Sequence, residues 1–318
     1  MRILKPIALA LFIIISSIHA NAQWYEAGVL LGGSNYVGDI SPNGMAPEEY
    51  NLAFGMFGRY NLNRFISFKA HFNKAKITGD DRNNNYLSGL RQRNLNFRSN
   101  ILEVGITNEF SLGAYDPRDN KNTIPYVFAG VSLFYFNPQA EFKGGWHDLR
   151  PLGTEGQSRL NNVETYSSIG FSIPFGMGFR WNLNPQVNIG AEFGMRLAVT
   201  DYLDDVSGRY PDVDELKQVD PLAGTLSFRS PEFMTDPLEN PVGQFRGNPD
   251  TNDWYFIGGL TLSINLTDKY GMEWNPQYKS FSKDVREPFF KKRTKAEKLA
   301  KKKKKKVKET ESFEPLDH

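Results

Sequence analysis

Few residue types in this chain can do covalent or metal chemistry. Among 318 residues there is no cysteine, and histidine occurs four times. A disulfide framework, thiolate metal sites and a cysteine nucleophile are therefore excluded. Beyond the first 22 residues the histidines are His71, His147 and the terminal His318. Neither His71 nor His147 stands in a recognisable zinc or nucleophile motif. His71 falls in an alternating stretch, where a hydrogen-bonded structural role is the expectation. His147, in "GGWHDLR", falls on a connecting loop, where acyl hydrolysis would need a partner serine that the stretch does not single out. No catalytic residue, cofactor or metal is expected, and the chain reads as non-enzymatic.

Two charged stretches remain. "TDYLDDVSGRYPDVDEL" holds Asp201, Asp204, Asp205, Asp212, Asp214 and Glu215, oxygen ligands suited to a hard cation. Their spacing lacks the Asp-x-Asp-x-Asp-Gly order of an EF-hand loop, so a solvated loop with turn-forming acids is expected. From Asp268 to His318 there are 16 Lys or Arg against 9 Asp or Glu. Six of them, Lys301, Lys302, Lys303, Lys304, Lys305 and Lys306, are consecutive. They repel one another, so this segment is expected to be disordered or helical only when bound. Nucleic acid is a poor partner, because no stacking aromatics interleave the lysines. The readings that remain are a solvated tail with no partner, a coat on an anionic membrane surface, and a periplasmic arm whose six lysines dock an acidic protein partner.

The elements that position these residues follow from export and from periodicity. "MRILKPIALALFIIISSIHANAQ" has the basic start, short apolar run and small-x-small site of a secretory signal peptide, giving a boundary after residue 22. Between Gln23 and residue 267, eight segments alternate apolar and polar residues: Trp24 to Gly38, Leu52 to Tyr60, Phe65 to Lys76, Asn100 to Leu112, Pro125 to Phe136, Glu164 to Trp181, Gln186 to Val199 and Asp253 to Leu266. Most reach the roughly 9 to 11 residues of a tilted transmembrane strand, and no convincing amphipathic helix lies between them. Short and long connections alternate. That is the pattern of an eight-stranded antiparallel up-and-down transmembrane β-barrel, expected to be integral to an outer membrane. Residues 268–318 would then be a lysine-rich periplasmic tail.

The segment "SSIGFSIPFGMGFRW" decides between a wetted and a lipid-bathed barrel. One face carries Ile169, Phe171, Ile173, Phe175, Met177, Phe179 and Trp181; from residue 168 to 178 the other offers only Gly, Ser and Pro. A water-soluble barrel would put Lys, Glu or Thr on its outer face, so the greasy row is assigned to lipid and the small one to a crowded interior. By the same parity Glu26, Arg59, Lys69, His71, Glu103, Glu109, Arg180, Glu192 and Arg196 face inward. Eight strands enclose only enough space for side chains, so these charges should pair into a plug. Pro174 cannot donate to a ladder and requires a bulge or local break.

Three stretches carry a family resemblance. "LGGSNYVGDI", "TDYLDDVSGRY" and "RGNPDTNDWYFIGGLTLSINL" resemble the PorG-like outer-membrane barrels associated with the type IX secretion system. The resemblance implies a non-enzymatic outer-membrane component of that secretion machinery. Its partners would be the periplasmic ring proteins, a PorK-like lipoprotein and a PorN-like protein, besides outer-membrane lipid. It offers no catalytic residue to carry over. The alternative is a small outer-membrane channel or a ligand-binding barrel that uses its long external loops.

Overall fold

A computed structural model describes residues 25–266, apart from 43, 85–87, 117–122, 161–163, 185 and 233–238. The signal segment 1–22 and Lys301 to Lys306 lie outside the described residues. Alternation produces strands wherever it was read. They are β1 (Tyr25–Val37), β2 (Asn51–Asn61), β3 (Ile66–Asp80), β4 (Asn96–Ser111), β5 (Thr123–Tyr135), β6 (Pro138–Phe142), β7 (Gly145–Asp148), β8 (Ile169–Asn182), β9 (Val187–Ala198) and β10 (Trp254–Asn265). Eight of them pair antiparallel in the closed order β3-β2-β1-β10-β9-β8-β5-β4, with β4 returning to β3. β6 and β7 form a hairpin appended to the end of β4.

Following paired residues once round the wall from Phe179, through Ala191, Leu260, Leu31, Phe54, Lys74, Leu102 and Tyr135, returns to β8 at Ile169, a stagger of 10 residues. Such a stagger tilts the strands and sets an interior that side chains can fill. One end of the barrel has the connections 62–65, 112–122 and 183–186; the other has 38–50, 81–95, 136–168 and 199–253. β1 begins and β10 finishes at the short-turn end.

Pro174 breaks the ladder without a bulge. β8 pairs β5 at Ala129↔Phe175 and again at Ser132↔Ser172, with no pairs between. The register is the same on both sides of the gap, so no residue is inserted. On its other side Pro174 still pairs with Arg196. The missing N–H is thus confined to one ladder.

The bare inner wall of β8 exists to seat rings from its neighbours. A Cβ on Gly178 would lie 2.6 Å from the Tyr126 ring, and one on Gly170 would lie 2.6 Å from the Phe134 ring. Outside, the belt is almost continuous: Leu31, Phe171, Met177 and Leu260 are 64%, 64%, 63% and 71% exposed.

At the long-loop end the molecule departs from the expected solvated loops. β3 and β4 run on to the pair Asp80↔Asn96, because Ile77, Phe97 and Ile101 are buried there. With Tyr36, Ile40, Phe134, Phe136, Leu203, Val206 and Tyr255 they form an apolar core under a folded cap. Short helices, absent from the expectation, occur at Ser88–Arg93, Val213–Val219 and Pro221–Ser227. Asp212 and Asp220 cap the last two by accepting backbone N–H bonds, the usual use of aspartate at a helix start.

Candidate functional site

The structure places all nine predicted lumen residues on the inner wall, each at most 8% exposed. They form two storeys. In the one nearer the short turns, Glu109 binds Arg59 at 2.7 Å, Arg180 at 3.2 Å and Lys69 at 3.4 Å. Glu26 pairs with Arg59 and, at 3.3 Å, with Arg180. Lys69 reaches Glu192 at 2.5 Å. In the second storey Glu103 accepts from Asn73 at 2.7 Å and from Tyr255 at 2.5 Å, lies 3.0 Å from His71 Nε2, and pairs with Arg196 at 3.3 Å.

Four carboxylates thus face four basic side chains from Arg59, Lys69, Arg180 and Arg196. That balance is what makes burial tolerable, since an unpaired charge in the interior costs several kcal/mol. Aromatic faces complete the packing: the Arg59 guanidinium sits 4.9 Å over Phe57, Arg180 4.3 Å over Tyr115, and the Lys69 ammonium 5.0 Å over Phe128. Between the storeys a void of about 10 Å³, lined by Lys69, His71, Asn73, Glu192 and Arg196 among others, has room for about one water.

Several partners in this network escaped the sequence reading. Tyr126 donates to Glu192 at 2.8 Å, and Ser263 donates to Glu26. Parity would have found both, together with Asn73 and Tyr255, but a search for charge passes over neutral side chains. Tyr115 had no such signal. It belongs to the turn between β4 and β5, folds beneath the barrel and donates to Asn265 at 3.1 Å.

A second polar assembly closes the long-loop end, and it joins the three stretches that carried the family resemblance. Tyr36 and Ile40, from the first, reach Asp204 of the second: the Tyr36 hydroxyl donates to Asp204 at 2.6 Å and lies 3.0 Å from Asp253 of the third, and the Ile40 N–H donates to Asp204 at 3.3 Å. Asp39 accepts the N–H of Asn248 at 3.0 Å. Arg246 lies 3.1 Å from Glu155 and donates to the backbone carbonyls of Asp205 and Ser227. Arg93 grips Asp81 through two bonds of 2.7 and 2.8 Å and donates to the backbone carbonyls of Asp39 and Arg246.

These facts correct the expectation for the acidic stretch. Asp212, Asp214 and Glu215 are at a helix start, as turn-forming acids would be. Asp201, Asp204 and Asp205 are instead buried. Among the described residues no group of three or more His, Asp or Glu is arranged to hold a metal ion. His147 lies on β7 opposite Ala140, with its ring edge-on to Phe142 at 6.4 Å.

A family model described as "Domain of unknown function (DUF6089)" matches residues 5–222. The chain belongs to that family. The DUF6089 match includes the first two of the three converging stretches, while Arg246 and Asp253 fall beyond it. Among curated proteins no sequence match is found. Among solved structures, the chain is similar to the N-terminal β-barrel domain of Pseudomonas aeruginosa OprF, at 10% identity over 76% of this chain and 97% of that one, with a TM-score of 0.32. Neisserial surface protein A gives 9% identity over 78% and 99%, with a TM-score of 0.35. Ail, the attachment invasion locus protein of Yersinia pestis, gives 10% over 76% and 99%, with a TM-score of 0.32. The barrel assignment for this DUF6089 chain rests on its own strand pairing.

Burial raises the cap acids. Asp201 is pushed up to about 7, with the charges of Asp39 and Glu155 adding to burial and Ser207 pulling back. Asp205 is pushed up to about 6 by burial, which Arg246, Thr154 and Tyr166 offset only in part. Asp204 and Asp253 are also raised, chiefly by burial and then by neighbouring acids. The folded cap therefore holds protons that an unfolded chain releases near pH 4. What these four acids contribute to cap stability is fully present below that point and is lost as pH rises through about 7. Asp201→Asn should stabilise the cap at pH 8 by on the order of 1 kcal/mol and flatten the dependence of thermal midpoint on pH. An unaltered pH profile in the variant would rule out Asp201 as the titrating group.

Proposed function

We propose that this chain is an integral outer-membrane barrel with a structural, non-enzymatic role, serving the type IX secretion machinery as a PorG-like component. The observation that carries the membrane half of this reading is the outer wall. Exposed Leu, Phe, Ile, Val and Met side chains encircle the barrel, far beyond the few hundred Å² of apolar patch usual on a soluble monomer. A hydrocarbon solvent is the environment in which such a wall costs nothing, and a closed barrel is one of the two folds that satisfy every backbone group there.

Support for the secretion half is the resemblance of the three stretches that meet at the cap, together with the direction of the chain. β10 runs to Asn265 at the short-turn end, so the chain leaves the barrel from the face opposite the cap. In the proposed orientation that face is periplasmic, and Lys301 to Lys306 would meet the PorK-like and PorN-like ring there. Deleting Lys291 to His318 should leave the barrel folded while lowering recovery of the ring proteins in pull-downs from detergent-solubilised envelopes. The wild-type contact should weaken with added salt, since exposed charges are screened over about 8 Å at physiological ionic strength. Undiminished recovery after the deletion would refute the docking arm. The packed lumen argues against the alternative of a channel, and a steady current in planar bilayers would restore it.

A further inference from the structure

The outer wall has one place where parity and chemistry disagree. Across the eight barrel strands, the outward-facing basic side chains among the described residues are Lys74 and Lys76 on β3 and Arg98 on β4. The other strand cations, Arg59, Lys69, Arg180 and Arg196, all point inward and are paired. The three outward ones are neighbours. Lys74 and Lys76 are two residues apart on one face, and Lys76 stands opposite Asn100, two residues from Arg98, a diagonal separation of about 7–8 Å.

Among the described residues no carboxylate forms an ion pair with them; Asp148 lies one side chain beyond Arg98, accepting at 2.6 Å from the Gln139 amide to which Arg98 donates. Asp80, on the same face, is held by Arg82 through bonds of 2.9 and 3.0 Å. Glu49 is occupied by Thr78 and Asn83. Glu141 lies at the Asn96 end, where its N–H donates to the Asn96 side chain. Arg98 is held in place, its Nε donating to Gln139 at 2.8 Å and its guanidinium 4.0 Å over the Trp146 ring. Arg98 itself is half-buried, on the outward row of β4.

Their level on the wall selects the partner. Outward from Ile66, β3 carries Phe68, Ala70 and Phe72 before Lys74, and a tilted strand crosses the hydrocarbon in roughly 9–11 residues. A span that starts at Ile66 therefore ends at Lys74 to Lys76. On β4 the outward row passes from Val104 and Leu102 to Asn100 and Arg98 over the same level. An anion bound beside these groups has apolar rows directly beneath it.

We infer that Lys74, Lys76 and Arg98 form a binding site for the phosphate headgroup of an anionic lipid in the leaflet at the long-loop end. The acyl chains lie along Phe54, Phe72, Leu102 and Val104, all exposed. Two ammonium groups supply movable point charges, and the fixed guanidinium supplies a planar fork that suits phosphate oxygens. Trp146 adds the amphipathic ring found at membrane interfaces. The inference rests on the membrane reading above.

The test is native mass spectrometry of the full chain in non-ionic detergent, titrated with bisphosphorylated lipid A, its dephosphorylated form and inorganic phosphate. The wild type should retain the phosphorylated lipid, and K74Q/K76Q should weaken retention roughly 10- to 30-fold with the heat-dependent mobility of the folded barrel unchanged. K74R/K76R, which keeps the charge, should bind as the wild type does. Equal retention by K74Q/K76Q, equal binding of dephosphorylated lipid, or full displacement by equimolar inorganic phosphate would each overturn the lipid site. Failure of the membrane reading itself would look different: the chain would stay monodisperse without detergent and bind no lipid.

Discussion

Glu109→Ala is expected to cost about 3–5 kcal/mol of barrel stability, the largest effect expected of any single substitution in the lumen. The carboxylate is fully buried and is the point at which Arg59, Arg180 and Lys69 converge. Its removal leaves three buried cations sharing Glu26 and Glu192, an excess of charge that the interior compensates poorly. Since a domain is stable by only about 5–15 kcal/mol, a loss of this size should be visible as a lowered urea midpoint in detergent. It should also lower the temperature at which the folded form loses its fast electrophoretic mobility. Glu215→Ala serves as control. Glu215 is an exposed acid on a cap helix, and its loss should stay within about 0.5 kcal/mol. Equal midpoints for the two variants would show that the lumen ion pairs do not hold the barrel together.

Met177→Arg carries the second largest expectation, about 2–4 kcal/mol when the protein is folded into a bilayer. Met177 faces outward from the middle of β8, is 63% exposed and lies among Phe175, Phe179 and Val127. On a wetted surface the same change would be worth no more than about 0.5 kcal/mol. The penalty should shrink when the arginine is moved to the end of the strand, as Ile169→Arg, because the cost follows depth in the hydrocarbon. A flat profile along β8 would place water outside the barrel. Met177→Arg and Glu109→Ala act on opposite faces of the wall, so their effects should add in the double variant.

Most of the barrel was legible because a strand asks only which face a residue is on. Period 2 alone orders Glu26, Arg59, Lys69, His71, Glu103, Glu109, Arg180, Glu192 and Arg196 onto one side, and the alternation of short and long connections orders the strands. Pro174 announced a defect in the ladder but not its form, since whether the register shifts depends on the partner strand. The cap was not legible. The contact that buries Asp204 comes from Tyr36, 168 residues earlier, and Arg93 and Arg246 enter the cap from connections with no repeating pattern. An acid in such a stretch is solvated or buried according to which distant group lies above it. The three stretches with a family resemblance hinted at a shared place in the molecule, and they do meet, but only the folded chain shows that they meet at the cap.

Hydrocarbon around the wall of the barrel can be measured directly, because the sequence holds no cysteine. Single substitutions to cysteine at Ile169, Phe171, Ile173, Phe175, Met177, Phe179 and Trp181 can each carry a nitroxide in protein reconstituted into vesicles. The expected result is strong collision with dissolved oxygen and weak collision with a water-soluble nickel chelate, with the contrast greatest near Phe175 and fading toward Ile169 and Trp181. Free access of the nickel chelate to labels at Ile173, Phe175 and Met177 would contradict the account.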